Sequence, residues 1–125
     1  DWFQNTKSYF EKDDFLKIYI AYPREELIHR IGKRAEKMIK LGAIQEVKKF
    51  VKLKVRKDKS VNKAIGINEI KEYLAERKDM TDVIEKISIK TRQYAKRQST
   101  WARGNMMSWL KLYPQDLNEF LKKIN

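Results

Sequence analysis

Two short apolar runs, each closed by a proline, frame this chain and limit what can lie between them. Phe15-Leu16-Lys17-Ile18-Tyr19-Ile20-Ala21-Tyr22 precedes Pro23, and Met107-Ser108-Trp109-Leu110-Lys111-Leu112-Tyr113 precedes Pro114. Their β-branched and aromatic content predicts a strand at 15–22, mostly buried, and a second at 107–113. Two strands alone do not make a stable sheet, so their neighbours are expected in a part of the protein beyond this chain or in another copy.

The stretch between the prolines carries helical spacing. Pro23 suits a first turn, with Glu25 and Glu26 near the positive end of the dipole. Leu27, Ile31, Ala35, Met38 and Ile39 then recur every three or four residues, and Gly42 can end the helix. A second helix is expected over about 43–53, with Ile44, Val47 and Val51 inward. Lys54–Asn62 has no apolar period and reads as an exposed basic loop. Ala64–Ile70 opens a third helix that runs through Tyr73 and Leu74. Asp79 or Thr81 can cap a fourth, from about 82 to Arg103, with Gly104 as its stop. A short amphipathic helix over Asp116–Ile124 is last.

Charge narrows the function. The 125 residues carry a formal net charge of +12, and it is concentrated. Residues 48–63 hold eight cations against Asp58, and residues 86–103 hold Lys86, Lys90, Arg92, Lys96, Arg97 and Arg103 with no carboxylate. Such concentration points to a polyanion, most often nucleic acid, over a merely solvated face. With no cysteine, disulfides and thiolate metal sites are excluded, and a reducing, cytoplasmic location is expected. No apolar run approaches the ~20 residues that span a bilayer. The start Asp1-Trp2-Phe3-Gln4 lacks the basic and apolar segments of a signal peptide, so the chain is expected to be soluble and cut from something longer.

On a helical wheel of about 100° per residue, Lys96, Ser99 and Arg103 fall within about 40° of Arg92. That is one cationic stripe with a hydroxyl in it, suited to phosphates. Ile84, Ile87, Tyr94, Ala95, Trp101 and Ala102 gather opposite, and Trp101 reads as core packing there. Thr91 and Gln98 sit among them, and either bond neighbouring backbone or face a polar cleft. Arg30 and Arg34, one turn apart, can pinch a pyrophosphate or meet carboxylates such as Glu26. His29 is alone and reads as structural. No Walker loop, nucleophile elbow or metal-ligand cluster is present, so the residues by themselves describe an RNA-binding piece without a complete active site.

The residues Thr91-Arg92-Gln93-Tyr94-Ala95-Lys96-Arg97-Gln98-Ser99-Thr100-Trp101-Ala102-Arg103 resemble the TRQ-x-AKRQ-x-TW-x-R signature of tRNA dimethylallyltransferases, also called tRNA isopentenyltransferases. Arg34…Met38…Leu41-Gly42…Glu46-Val47 is similar to a second pattern of that family, and Ala64-Ile65-Gly66-Ile67-Asn68-Glu69-Ile70…Tyr73-Leu74 to a third. Order and spacing agree from about residue 15 to 113. The resemblance implies an α/β fold in which residues 1–125 are the C-terminal portion of a P-loop kinase-like, parallel-sheet core, mostly helical with two short strands. It implies transfer of a dimethylallyl group from its diphosphate to N6 of the adenosine 3′-adjacent to the anticodon. The N-terminal half, with the phosphate-binding loop, the general base and most of the helical insertion domain, is then expected outside this chain. The piece alone is expected to be inactive. Mg²⁺ is implied for the whole enzyme, none for this piece, and the whole enzyme is expected to be a monomer.

Carried over by position, Lys63, Ala64, Ile65, Gly66, Ile67 and Asn68 match one family segment that contacts tRNA. Lys96, Arg97, Gln98, Ser99, Thr100, Trp101 and Arg103 match another, and Arg92 joins them through the stripe. Arg34 matches an arginine that handles the prenyl diphosphate. Ile67-Asn68 departs from the family's Tyr-Arg or Tyr-Lys and removes a cation and an aromatic. Ala102 stands where a larger apolar residue is common, a matter of packing. Two other readings compete: a fragment of an enzyme that prenylates free adenine nucleotides, and a stand-alone basic helical RNA-binding module. The long basic bias favours RNA over a mononucleotide, and a Gly-x4-Gly-Lys-Ser/Thr loop encoded upstream would eliminate the module.

Overall fold

The computed structural model describes residues 7, 9–76 and 79–124, and the N-terminal Asp1–Gln4 segment lies outside them. The chain divides into two compact units. Residues up to Tyr22 join those from Met106 onward in one, and Pro23–Asn105 forms the other.

In the first unit β1 (Ile18–Ile20) pairs in parallel with β2 (Leu110–Leu112). The register sets Ile18 opposite Leu110 and Ile20 opposite Leu112. Backbone bonds from Ala21 N–H to the Leu112 carbonyl (2.8 Å) and from Leu110 N–H to the Lys17 carbonyl (2.9 Å) close the ladder at both ends. Both strands are shorter than the apolar runs that contain them. With one partner each, only the central residues find a ladder. Phe15 and Leu16 stay more than half exposed, and β1 is half-buried instead of mostly buried. A parallel pair needs a long crossover, and here the whole second unit separates the two strands. α5 (Pro114–Ile124) follows β2 and begins on the proline itself.

The second unit is four helices packed in a ring. α1 (Arg24–Lys40) lies against α4 (Met80–Asn105) and α2 (Ala43–Lys52), and α3 (Ile67–Glu76) lies against α2 and α4. Pro23 caps α1 from outside its first turn. Gly42, at φ 108°, takes the left-handed conformation that ends α1 and starts α2 within one residue. The core joins Ala35, Ala43, Val47, Ile70, Val83 and Ile87, with Met38, Ile65, Ile67 and Leu74 packed around it. Val47 is buried as expected, whereas Val51, one turn further on the same face and in the last turn of α2, is 47 % exposed along the groove between α2 and α3.

α4 departs most from expectation. It passes through Gly104 and stops at Asn105, whose side-chain amide donates to the Trp101 carbonyl at 2.8 Å and satisfies one of the last turn's orphan acceptors. At its start Asp79 accepts from Thr81 N–H at 3.4 Å, and those Thr81 contacts hold the Asp79 carboxyl below its ordinary range. Its 26 residues span about 39 Å, whereas the ten of α3 span about 15 Å. Val83 is therefore covered, but Tyr94 and Trp101, further along nearly the same line, are 49 % and 59 % exposed. The expectation that Trp101 packs in the core is corrected by that difference in length.

Candidate nucleic-acid interface

α4 divides its cations between two tasks. Lys86 Nζ lies 3.0 Å from Glu72 Oε2, and Lys90 Nζ contacts Glu69 Oε1, so both are tied to α3. Arg92, Lys96, Arg97 and Arg103 lie beyond the reach of α3, are exposed, and have no carboxylate partner among the described residues. Arg97 stands 5.8 Å from the Tyr94 ring centre, and Arg103 Nη2 donates weakly to Thr100 Oγ1 at 3.4 Å. Ser99 is half-buried between them, while Thr100 and Gln98 are exposed. Thr91 resolves to the ordinary alternative, donating its hydroxyl to the Ile87 carbonyl at 2.7 Å. The result is two faces of one helix: a stripe of three open cations, Arg92, Lys96 and Arg103, that can hold phosphates, and on the opposite side Arg97 with the exposed rings of Tyr94 and Trp101, which can stack bases.

The segment 63–68 splits by burial. Lys63, Ala64 and Asn68 are exposed, Ile65 and Ile67 pack on the core, and Gly66 is buried. Gly66 has φ 106°, a conformation that costs a residue with a Cβ about 1–2 kcal/mol. Its N–H donates to Glu69 Oε2 at 2.7 Å. This is half of a capping box: Gly66 precedes the helix, and the third helical residue reaches back to it. The other oxygen of Glu69 meets Lys90. A single buried carboxylate (3 % exposed) thus starts α3 and holds the 63–68 turn to α4. Sequence patterns left Glu69 without a role. The Gly-x-x-Glu spacing before an apolar run was the available signal.

Burial by itself pushes the Glu69 carboxyl up. The hydrogen bond from Lys90, the backbone N–H groups of Glu69 and Gly66, and the Lys90 charge outweigh burial and hold the carboxyl below its usual range. The same bond and charge push Lys90 up. Arg34 is exposed on α1. Arg30 pairs with Glu26 at 3.7 Å, the carboxylate alternative for that residue, and His29 is exposed on α1. No three metal-ligating side chains come together among the described residues.

The pH dependence follows from the signs. The Glu69 contribution is complete above about pH 4.3, the value of an unfolded carboxylate, and is lost as pH falls through the lower native value. The Lys90 contribution is complete below about pH 10.4 and is lost as pH rises through its raised native value. Urea unfolding from pH 7 to 2.5 should show Glu69→Gln with a shallower acid limb than the unsubstituted chain. Coincident limbs would contradict the clamp.

Comparison with known proteins agrees with the motifs. The family model described as IPP transferase matches residues 1–105. The chain is 52 % identical over 124 residues to the tRNA dimethylallyltransferase of Pelagibacter ubique, covering 99 % of this chain and 40 % of that protein. It is 40 % identical over 98 residues to the one from Agrobacterium fabrum, covering 77 % and 33 %. The crystal structure of the tRNA isopentenylpyrophosphate transferase from Staphylococcus epidermidis superposes with a TM-score of 0.74 at 33 % identity, over 90 % of this chain and 38 % of that one. The corresponding transferase from Bacillus halodurans superposes with a TM-score of 0.68 at 31 % identity, over 78 % and 32 %. The chain therefore spans about two fifths or less of the proteins it matches, and its mostly helical architecture with two parallel strands is theirs in part. By motif, by sequence match over most of its length and by fold, this chain belongs to the IPP transferase family.

Proposed function

We propose that this chain is the C-terminal portion of a tRNA dimethylallyltransferase core. It supplies the tRNA-contacting face and a diphosphate-side arginine for transfer of a dimethylallyl group to N6 of the adenosine 3′-adjacent to the anticodon. The observation that carries this is the stripe of Arg92, Lys96 and Arg103, open to solvent while the neighbouring lysines are spent on α3. From Arg92 to Arg103 the face runs about 16 Å, long enough for several phosphates of a strand and longer than a mononucleotide requires. It supports a tRNA anticodon stem-loop as the substrate over a free nucleotide.

In the transfer, the N6 amine attacks the allylic carbon, the bond to the diphosphate oxygen breaks, and the amine proton leaves to a base. This chain's share is to hold and to place. The stripe grips the backbone, Arg97 with the rings of Tyr94 and Trp101 offers a stacking surface on the other side of α4, and Lys63 and Asn68 add contact from the clamped turn. Gly66, Ile65 and Ile67 serve by backbone shape and packing. Arg34 faces the departing diphosphate, where a guanidinium stabilises charge as it develops. The resemblance implies magnesium at the diphosphate; the described residues here do not assemble a ligand set for it, and no step is assigned to it. No helix among the described residues is long and apolar enough to cross a membrane, and a cytoplasmic monomer suits a tRNA-modifying role.

Lys96→Ala and Arg103→Ala in the full-length protein should each weaken tRNA binding and reduce the log–log salt slope by about 0.7–0.9 per lost contact. Melting temperature should stay nearly unchanged, as expected for exposed residues with no carboxylate partner among the described residues, Arg103 holding only a weak bond to Thr100. An unchanged slope with a lowered melting point would mean that the stripe is structural. Arg34→Ala should impair use of dimethylallyl diphosphate in steady-state kinetics more than tRNA affinity. Loss of tRNA affinity with normal diphosphate kinetics would move Arg34 to the RNA surface.

A further inference from the structure

The charge on α2 and the loop after it is not used by the α4 face. Lys48, Lys49 and Lys52 rim a groove of about 740 Å³ between α2 and α3, Lys71 lines it from the α3 side, and its floor includes Val51 and Leu74. No carboxylate lines it. Lys71 Nζ sits 5.2 Å from the Phe50 ring centre, which fixes it toward α2. Glu69 and Glu72 of α3 point instead to α4. Lys90 meets α3, and Arg92, Lys96 and Arg103 lie about 120–160° around α4 from it, so both α3 and α4 stand between the groove and the open stripe, a separation of about 20–24 Å at 10–12 Å per helix. Lys48 and Lys52 are also a like-charged pair one turn apart, a spacing that destabilises a helix. The helix dipole accounts for cations in the last turn of α2, but not for Lys48 or Lys71.

The loop that continues from α2 extends the field. Asn62 donates its amide to the carbonyls of Arg56 (2.8 Å) and Lys59 (3.3 Å), so the loop has a defined shape. Arg56 is matched by Asp58 at 3.1 Å, while Lys54, Lys57 and Lys59 remain exposed. Lysines are point charges without the forked geometry that selects a single phosphate, so several of them along a shallow groove suit a continuous phosphodiester backbone.

We infer that the α2–α3 groove, with the Lys54–Lys59 loop, is a second, sequence-independent RNA surface that holds backbone outside the anticodon stem-loop. The inference rests on the tRNA reading above. An RNA whose stem-loop is held on the α4 stripe must continue past both α4 and α3 to reach the groove, so the backbone that lies there comes from outside the stem-loop.

The test compares two probes on the full-length protein: an unmodified tRNA transcript and the anticodon stem-loop cut from it. The combined Lys48→Ala, Lys49→Ala and Lys52→Ala variant should bind the transcript roughly tenfold more weakly at about 0.1 M salt, with a log–log slope shallower by about 2. Its stem-loop affinity should stay within about twofold of the unsubstituted protein, and its melting temperature should not change. The three Lys→Arg replacements should restore transcript binding and slope, since the charge is kept. Equal loss on both probes would place these lysines in the stem-loop site and overturn a second surface. No loss on either would leave the groove to an occupant other than RNA. Failure of the unsubstituted protein to bind the stem-loop would instead overturn the tRNA reading itself.

Discussion

A buried carboxylate must be fully partnered or it unfolds what surrounds it, and Glu69 is the place where this chain meets that demand. One oxygen takes the N–H of Gly66, the other takes Lys90. Each partner imposes something further. Gly66 delivers its N–H only in a left-handed conformation, which excludes most side chains there. Lys90 must lie on the α3 side of α4, which sets the rotation of α4 and so turns the residues one to three turns later outward. The turn 63–68 and the cationic end of α4 are far apart in sequence and are held as one body by this contact.

The same rotation explains why the charge of residues 86–103 is not all of one kind. Counted from sequence, its six cations look equivalent. In the folded chain Lys86 and Lys90 neutralise α3 carboxylates, and only those past the end of α3 are open. A surface salt bridge such as Lys86–Glu72 contributes little to stability. Its consequence is that the lysines facing α3 are neutralised while the cations further along α4 stay open.

Much of this was legible in advance. Proline and glycine punctuation marked α1, Gly42 and the start of α5 to within a residue or two, because those residues act through local backbone geometry. The strands were legible as runs but not in length, since pairing depends on partners the pattern does not contain. Trp101 and Tyr94 were misplaced because a wheel assumes that one face is covered along the whole helix, whereas α3 is too short to cover it. Gly104 did not end α4, because Asn105 supplied the missing cap one residue later. The clamp was the largest omission. Capping by Glu69 is a local signal, but its second bond joins residues 21 positions apart, and no spacing rule reaches that far.

The most direct measurement is a double-mutant cycle between Glu69→Gln and Lys90→Met, read by equilibrium urea unfolding at pH 7. Because the Lys90 side chain is 52 % exposed, solvent screens the pair, and the coupling expected is about 1–2 kcal/mol, below that of a fully buried pair. The double variant should then be less destabilised than the sum of the two single ones. Additivity within about 0.5 kcal/mol would contradict the account, since the turn and the helix would then be held together by something other than Glu69.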